Sequence, residues 1–407
     1  MPGPEQRYPS PEETMAAFAR HLSAGKVALY RQLGLELVMG RREGIRFWDA
    51  FSGRSWINCH SNGGVFNLGH RHPRVVSALR AALDGLDVGN HHLVSGFRAA
   101  LASRLSASTG GRLPGVVFAP GGGEVVDIAI KTARGATGRQ RVVSAQGGYH
   151  GHTGLALAAG DPEYRDPFGP NLPGFVQVPF GDLDAIAAVV DHETAVVLLE
   201  PIPATLGMPL PPPGYLASVA ALCREWGAKL ILDEVQTGLG RTGRMWCAQW
   251  EEVAPDALVT GKGLGGGLYP MAAVLLSAEL HEVFHRRPFV HIATFGGAEL
   301  GCVCALAALD VVGEDGFLER VCELSEGFGE AFAGLPFELR RRGLMMGLVF
   351  PDPAAALAGA AALFDAGVFV VWANNDRRVL QFLPPLVLTD AEADELIGRV
   401  TDALRPG

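Results

Sequence analysis

A series of short, almost uninterrupted apolar runs, each separated from the next by helical periodicity, limits the fold of this chain more than any other feature. The runs are GVVFAP (115–120), RVVSA (141–145), AVVLLEP (195–201), KLILDE (229–234), DALVTG (256–261) and MAAVLLS (271–277). A strand with water on one face alternates apolar and polar residues, whereas a strand that is apolar throughout is covered on both faces. Ala/Leu-rich amphipathic stretches lie between the runs, such as YLASVAALCREWG (215–227). Another helix reads through Val75, Val76, Leu79, Leu83 and Leu86 behind Pro73. Buried strands alternating with helices predict an α/β domain on a mostly parallel sheet.

After about residue 310 the pattern changes. VCELSEGFGEAFAGL reads as a helix, LMMGLVF and VLQFL as short strands, and TDAEADELIGRV as a closing helix with an acidic start. This predicts a smaller α+β domain over 311–407 beside a large domain over 51–310. Residues 1–50 read as a helix and a hairpin outside the main sheet, placed to pack with the small domain.

Composition narrows the function classes. With 407 residues and 48% apolar content the chain can bury a large core. A net charge of −9 and the lack of a basic stripe argue against a nucleic-acid partner. No apolar run approaches the ~20 residues of a membrane span. The start, MPGPEQRYPSPEE, has no apolar export signal. The six cysteines show no zinc spacing, and Cys302 and Cys304 read as small core residues. The expectation is a soluble, reduced, cytoplasmic protein with no metal.

Ligands of open α/β sheets bind at the carboxyl ends of the strands. Asp233, Glu200 and Lys262 all fall at such ends, and Tyr149 and His150 follow RVVSAQGG. Gly121, Gly122 and Gly123 follow VVFAP and open a helix, where backbone N–H groups and the helix dipole favour an anion. By itself the glycine run is equally a tight turn, and Asp233 equally a helix cap or half of an ion pair. Lys262, inside ALVTGKGLGGGLYP, is either a phosphate clamp or a nucleophile. A phosphate cradle, an aromatic platform, an acid and a lysine together match the needs of pyridoxal phosphate.

The stretches LILDEVQTGLGRTGRMW and ALVTGKGLGGGLYPMAAV resemble the signature of class III aminotransferases, the ornithine/4-aminobutyrate type. NLGHRHPRVVSAL, GGYHGHTG and TFGGAELGCVCALAALDVV are similar to further motifs of that family and spread the likeness over most of the chain. The resemblance implies a fold-type I pyridoxal-phosphate transferase with a mostly parallel seven-stranded sheet and a smaller α+β domain. It implies that Lys262 carries the cofactor as a Schiff base, that Asp233 pairs with the pyridine nitrogen, and that Gln236 contacts the ring 3-oxygen. Tyr149 would stack on the ring and Gly122 and Gly123 would bind the phosphate. Thr294 would reach the cofactor phosphate of a neighbouring subunit, which implies a homodimer with shared active sites. The substrates would be a small amine or amino acid and a keto acid.

The chain departs from the family where substrates are recognised. Gly123 stands where a Ser or Thr is common, and His152 where the family has Arg. Gln381 replaces the Arg that binds a substrate carboxylate, and Thr205 replaces the Glu that pairs with it. Losing both halves of a charge pair is coherent, because losing one strands a buried charge. Either the carboxylate is held elsewhere, by Arg377, Arg378 or Arg342, or the enzyme does not grip an α-amino acid in the ornithine/glutamate manner. The second reading covers an aminotransferase with an unusual substrate, or an epimerase or lyase with the same cofactor. The strip NCHSNGGVF, with His60 and Asn62, is a candidate specificity segment or a plain turn. His70 and His72 belong to the GHRHP motif and not to a metal site.

Overall fold

The computed structural model describes residues 7–90 and 92–405. The first six residues of the proline-rich start lie outside the described residues. Two helices, Pro11–His21 and Ala24–Gln32, stand where one was expected. The hairpin β1 (Met39–Glu43) and β2 (Arg46–Asp49) follows and continues into β3 (Ser55–Asn58), which pairs with β2. A division at residue 51 therefore cuts this sheet. β3 belongs with the N-terminal hairpin because its backbone groups find their partners there.

The main sheet holds β4 (Gly115–Ala119), β5 (Arg141–Ala145), β6 (Phe175–Val178), β7 (Thr194–Leu199), β8 (Lys229–Asp233), β9 (Ala257–Thr260) and β10 (Ala272–Leu276). Its order is β4-β10-β9-β8-β7-β5-β6. β6 is not among the six apolar runs of the sequence. It is an edge strand, FVQV, whose Gln177 breaks the pattern. β10 runs antiparallel to both neighbours, a direction that apolar content does not encode.

Along the central strands alternate residues enter two different cores. Val142, Val196, Leu198, Ile231 and Val259 pack with the helix Gly122–Thr137 on one face. Val143, Val197, Leu199, Leu230 and Leu232 pack with the helix Tyr215–Trp226 on the other. That is the physical origin of the uninterrupted apolar runs. Both helices end on a left-handed glycine, Gly138 at φ 70° and Gly227 at φ 67°, which turns the chain back toward the next strand.

The small domain has β11 (Glu338–Arg342), β12 (Met345–Val349), β13 (Val368–Phe369), β14 (Val371–Ala373) and β15 (Asp376–Phe382). β11, β12, β15 and β14 form one sheet, while β13 leaves it and pairs in parallel with β3. Ile45, Ile57 and Cys59 of the N-terminal sheet share a buried cluster with Phe328, Leu348 and Phe382 of the small domain. Among the described residues no helix is long and apolar enough to cross a membrane.

Candidate active site

β8 and β9 are adjacent and parallel, so their carboxyl ends bring Asp233, Gln236 and Lys262 to one place. Lys262 begins a short 3-10 turn at φ 46°, a left-handed conformation that the glycines behind it accommodate. Its Nζ donates to Gln236 Oε1 at 2.9 Å. Burial pushes the Lys262 ammonium pKa down, and the fields of Asp233 and Glu200 oppose that shift without cancelling it. The remaining amide group of Gln236, Nε2, is buried and has no hydrogen-bond partner among the described residues.

The segment Ser61–Gly64 bends over the lysine. Ser61, Asn62, Gly63 and Gly64 have φ of 48°, 50°, 66° and 96°, four left-handed residues in succession. Two are not glycine, and each such residue costs on the order of 1 kcal/mol or more. Asn58 holds the turn by accepting the Ser61 N–H at 2.8 Å. A Cβ at Gly63 would stand 3.4 Å from Lys262 Cε and 3.5 Å from its Nζ. His60, beside this turn, is pushed down to about 4 by burial and by the Lys262 charge. Asn62 itself is exposed.

Asp233 is buried and takes hydrogen bonds on both oxygens. Val235 N–H donates to Oδ1 at 3.1 Å and His150 Nδ1 donates to Oδ2 at 2.8 Å. In the sequence His150 stands out only as the neighbour of Tyr149. Burial works against charge on His150, but the Asp233 hydrogen bond and the carboxylates of Asp233, Glu200 and Asp161 outweigh it and raise its pKa. Glu200 accepts the Tyr149 backbone N–H at 2.8 Å, and burial pushes its carboxyl up to about 7.

The helix Gly122–Thr137 starts behind β4, and among the described residues no side chain caps its first turn, which leaves the N–H groups of Gly122 and Gly123 available to an anion. A Cβ at Gly123 would lie 2.9 Å from Thr153 Oγ1 and 3.5 Å from Gly151 Cα. Thr153 therefore occupies the space that a Ser or Thr at 123 would need.

Tyr149, His152 and Tyr164 form an aromatic wall. The His152 ring meets Tyr149 edge-on at 5.1 Å and stacks on Tyr164 at 5.5 Å. Tyr164 donates to Asn375 Oδ1 at 2.9 Å, and Asn375 Nδ2 donates to the Gly147 carbonyl at 2.9 Å. Thr205 Oγ1 donates to the same carbonyl at 2.9 Å. Nothing in the sequence pointed to Tyr164 or Asn375, because each joins the site through tertiary contact alone. Gln381 is buried on β15, and among the described residues its amide forms no hydrogen bond to protein.

Of the alternative carboxylate binders, Arg378 is held bidentately by Asp376 at 3.0 and 2.8 Å. Arg342 lies over Trp250, lining a separate cleft. Arg377 is exposed at the start of β15, and its charge acts on Tyr164. Thr294 is exposed in the segment ahead of the helix Glu299–Val312.

The family model "Aminotransferase class-III" matches residues 30–404. The chain belongs to the class III aminotransferases. This aminotransferase is 47% identical over 398 residues to an uncharacterized aminotransferase of Archaeoglobus fulgidus, covering 96% of this chain and 94% of that one. Its fold is similar to the ornithine aminotransferase of Toxoplasma gondii, at TM-score 0.89 and 28% identity over 98% of this chain and 95% of that one. It is also similar to the acetylornithine aminotransferase of Elizabethkingia anophelis, at TM-score 0.84 and 28% identity over 98% and 99% of the two chains. The class III aminotransferase therefore has a fold-type I architecture and depends on pyridoxal phosphate. Its residues fit that group: an uncapped helix start for phosphate, an acid supported from both sides, and a lysine beside an amide with an unpaired buried N–H.

Proposed function

We propose that Lys262 holds the cofactor and moves the proton in transfer of an amino group from an amine or amino acid to a carbonyl compound. Pyridoxal phosphate, when bound, supplies the aldehyde that takes the amino group and the ring that accepts an electron pair from the substrate carbon. The chain's residues do the rest. Gly122 and Gly123 would hold the phosphate, Asp233 would support a proton on the ring nitrogen, Gln236 would serve the ring 3-oxygen, and Tyr149 would supply an aromatic face. Lys262 Nζ, its ammonium form disfavoured by burial, would hold and return the substrate proton.

The observation that carries this reading is the Lys262 amine, enclosed by Gln236 and the Ser61–Gly64 turn. The other lysines are Lys26, Lys131 and Lys229. Lys229 is committed to Glu279 at 2.6 Å, and Lys131 to His291 at 2.9 Å. Borohydride reduction of the holoenzyme followed by peptide mapping should place the added mass on Lys262. Mass on another lysine refutes the assignment.

The substrate reading rests on the neutral wall. Thr205 and Gln381 carry no charge, and Thr205 Oγ1 is turned to the Gly147 carbonyl. This favours a larger or less acidic amine or amino acid over glutamate and ornithine, with Asn62, His152 and Gln381 as its contacts.

The active form is read as a homodimer. Leu93 is 68% exposed, Phe289 70% and Phe295 57%, and they gather around the segment that carries Thr294, the patch a second copy would cover. Full activity in a sedimenting monomer would sink this. The six cysteines are unpaired, which supports a cytoplasmic location, testable by cell fractionation.

A further inference from the structure

His150 has two ring nitrogens, and Asp233 accounts for one of them. Nδ1 donates to Asp233 Oδ2 at 2.8 Å. Nε2 is buried and has no hydrogen-bond partner among the described residues. The side chain is 1% exposed, so bulk solvent does not reach it. A buried polar atom without a partner is costly, and its surroundings are expected to supply one.

Gly148 shows what those surroundings offer. Its backbone is not left-handed, so the turn does not itself call for glycine at this position. A Cβ there would stand 3.1 Å from the Ala145 carbonyl oxygen, 3.4 Å from His150 Nε2 and 3.7 Å from Glu200 Oε1. Three polar atoms therefore converge on the side that the glycine leaves open. Glu200 is buried, and its carboxylate is held in place. Oε1 accepts the Tyr149 N–H at 2.8 Å, which leaves it a second lone pair, and Oε2 accepts the Ala204 N–H at 3.3 Å. Among the described residues no direct bond or ion pair joins His150 to Glu200.

A group that accepts from Nε2 and donates to two oxygens would complete this arrangement. Water can do both, and a buried water typically makes about three hydrogen bonds. We propose that one water sits beside Gly148, accepts from His150 Nε2–H, and donates to Glu200 Oε1 and the Ala145 carbonyl. Glu200 is then a positioning residue: through the water it holds His150 as an imidazolium against Asp233. The role rests on the reading of Asp233 as the partner of the cofactor ring nitrogen, because a cation beside Asp233 keeps that carboxylate ionised.

The fields around the bridge agree with it. Burial opposes charge on His150, but the Asp233 hydrogen bond and the carboxylates of Asp233, Glu200 and Asp161 outweigh it and raise its pKa. Burial pushes Glu200 up to about 7, with Asp233 acting in the same direction and His150 and Lys262 against it. The Tyr149 phenol lies in the field of Asp233 and Glu200, and its pKa is raised, chiefly by burial. The bridge is therefore complete above about pH 7 and loses its anion below.

The first test is a crystal structure of the holoenzyme grown at about pH 8, where Glu200 is ionised. One water should lie within about 3.2 Å of both His150 Nε2 and Glu200 Oε1. No density at that point overturns the proposal. The second test uses the holoenzyme reduced with borohydride and labelled with nitrogen-15 in histidine, the His150 signals being identified by their loss in His150→Phe. At about pH 8 Nε2 should resonate as a protonated ring nitrogen, and an unprotonated Nε2 overturns the proposal. Glu200→Gln keeps an oxygen for the Tyr149 N–H and removes the charge. Gly148→Ala keeps the charge and fills the place of the water. Each should move Nε2 toward its unprotonated position. An unchanged signal in Glu200→Gln means that Glu200 does not hold the imidazolium. An unchanged signal in Gly148→Ala means that the two groups couple through their fields without a bridge. Either result refutes the proposal. If one variant fails to fold, judged by its reduced-cofactor absorbance, the other decides together with the crystal structure. The reading of Asp233 fails separately, if the ring-nitrogen resonance of nitrogen-15-labelled cofactor is the same in Asp233→Asn as in the wild type.

Discussion

Replacing His150 with Phe should cripple the enzyme while leaving its fold intact. The His150 and Asp233 side chains are 1% and 5% exposed, and Nδ1 lies 2.8 Å from Oδ2. Phe keeps a planar ring, slightly larger than the imidazole, and removes the donor, so Asp233 keeps the Val235 N–H at 3.1 Å, on its other oxygen. A hydrogen bond to a charged group contributes roughly 1.5–3 kcal/mol. If all of it supports the charge that Asp233 presents to the cofactor ring, kcat/KM should fall about 10- to 160-fold, at 1.36 kcal/mol per tenfold. The assay is single-turnover loss of the cofactor absorbance with the best amine donor, beside a thermal midpoint as a control for folding. His150→Asn restores an N–H near the position of Nδ1 and should recover most of the rate. If the Phe variant works within about a factor of two of the wild type, the bond does not serve the chemistry. If Asn is no better than Phe, the imidazole acts through packing alone.

Gly123→Ser should weaken cofactor binding, because its Cβ would meet Thr153 Oγ1 at 2.9 Å. An overpacking cost of about 1–3 kcal/mol predicts roughly a 5- to 150-fold higher Kd, relieved by adding Thr153→Ala. Unchanged cofactor titration in the single variant would refute this. Two buried carboxyls should each remove stability from the cofactor-free protein as pH rises. Glu200 and Glu234 are each pushed by burial from 4.5 up to about 7, so the native state binds more protons than the unfolded chain. Their contribution is full below about 4.5 and is lost as pH passes about 7, with an upper bound near 3 kcal/mol for each. Buried His60 and His70, pushed down to about 4, work the other way up to about 6.5, so the test is the difference: between about pH 5 and pH 8 the urea midpoint of Glu234→Gln should fall less, or rise more, than that of the wild type, and an identical slope would count against the assignment. Glutamate and ornithine should be poor substrates of the wild type. Gln381→Arg should not repair this alone but should improve when combined with Thr205→Glu, since Asn375 still anchors the Gly147 carbonyl at 2.9 Å. Efficient turnover of glutamate by the wild type would show that the carboxylate is held by another residue.

The sequence by itself determined the layered α/β sheet, because a strand buried on both faces must be largely apolar, and β7, β8 and β9 are so between their end residues. It pointed to the glycine turn, Tyr149, Asp233 and Lys262 as one constellation, because parallel strands carry residues at their carboxyl ends to the same edge, while Gln236 was legible only through the family resemblance. β6 and β11 were not legible, since edge strands are half-covered and their polar residues break the pattern. The antiparallel direction of β10 was not legible either, as burial is indifferent to direction. Only the tertiary structure joined His150 to Asp233, Thr153 to Gly123, and Tyr164 to Asn375. Tyr164 and Asn375 are 211 positions apart in the chain. No local propensity or period relates residues so distant. Their contact depends on how the small domain closes over the sheet, and that is decided by the packing of two cores and not by any one segment.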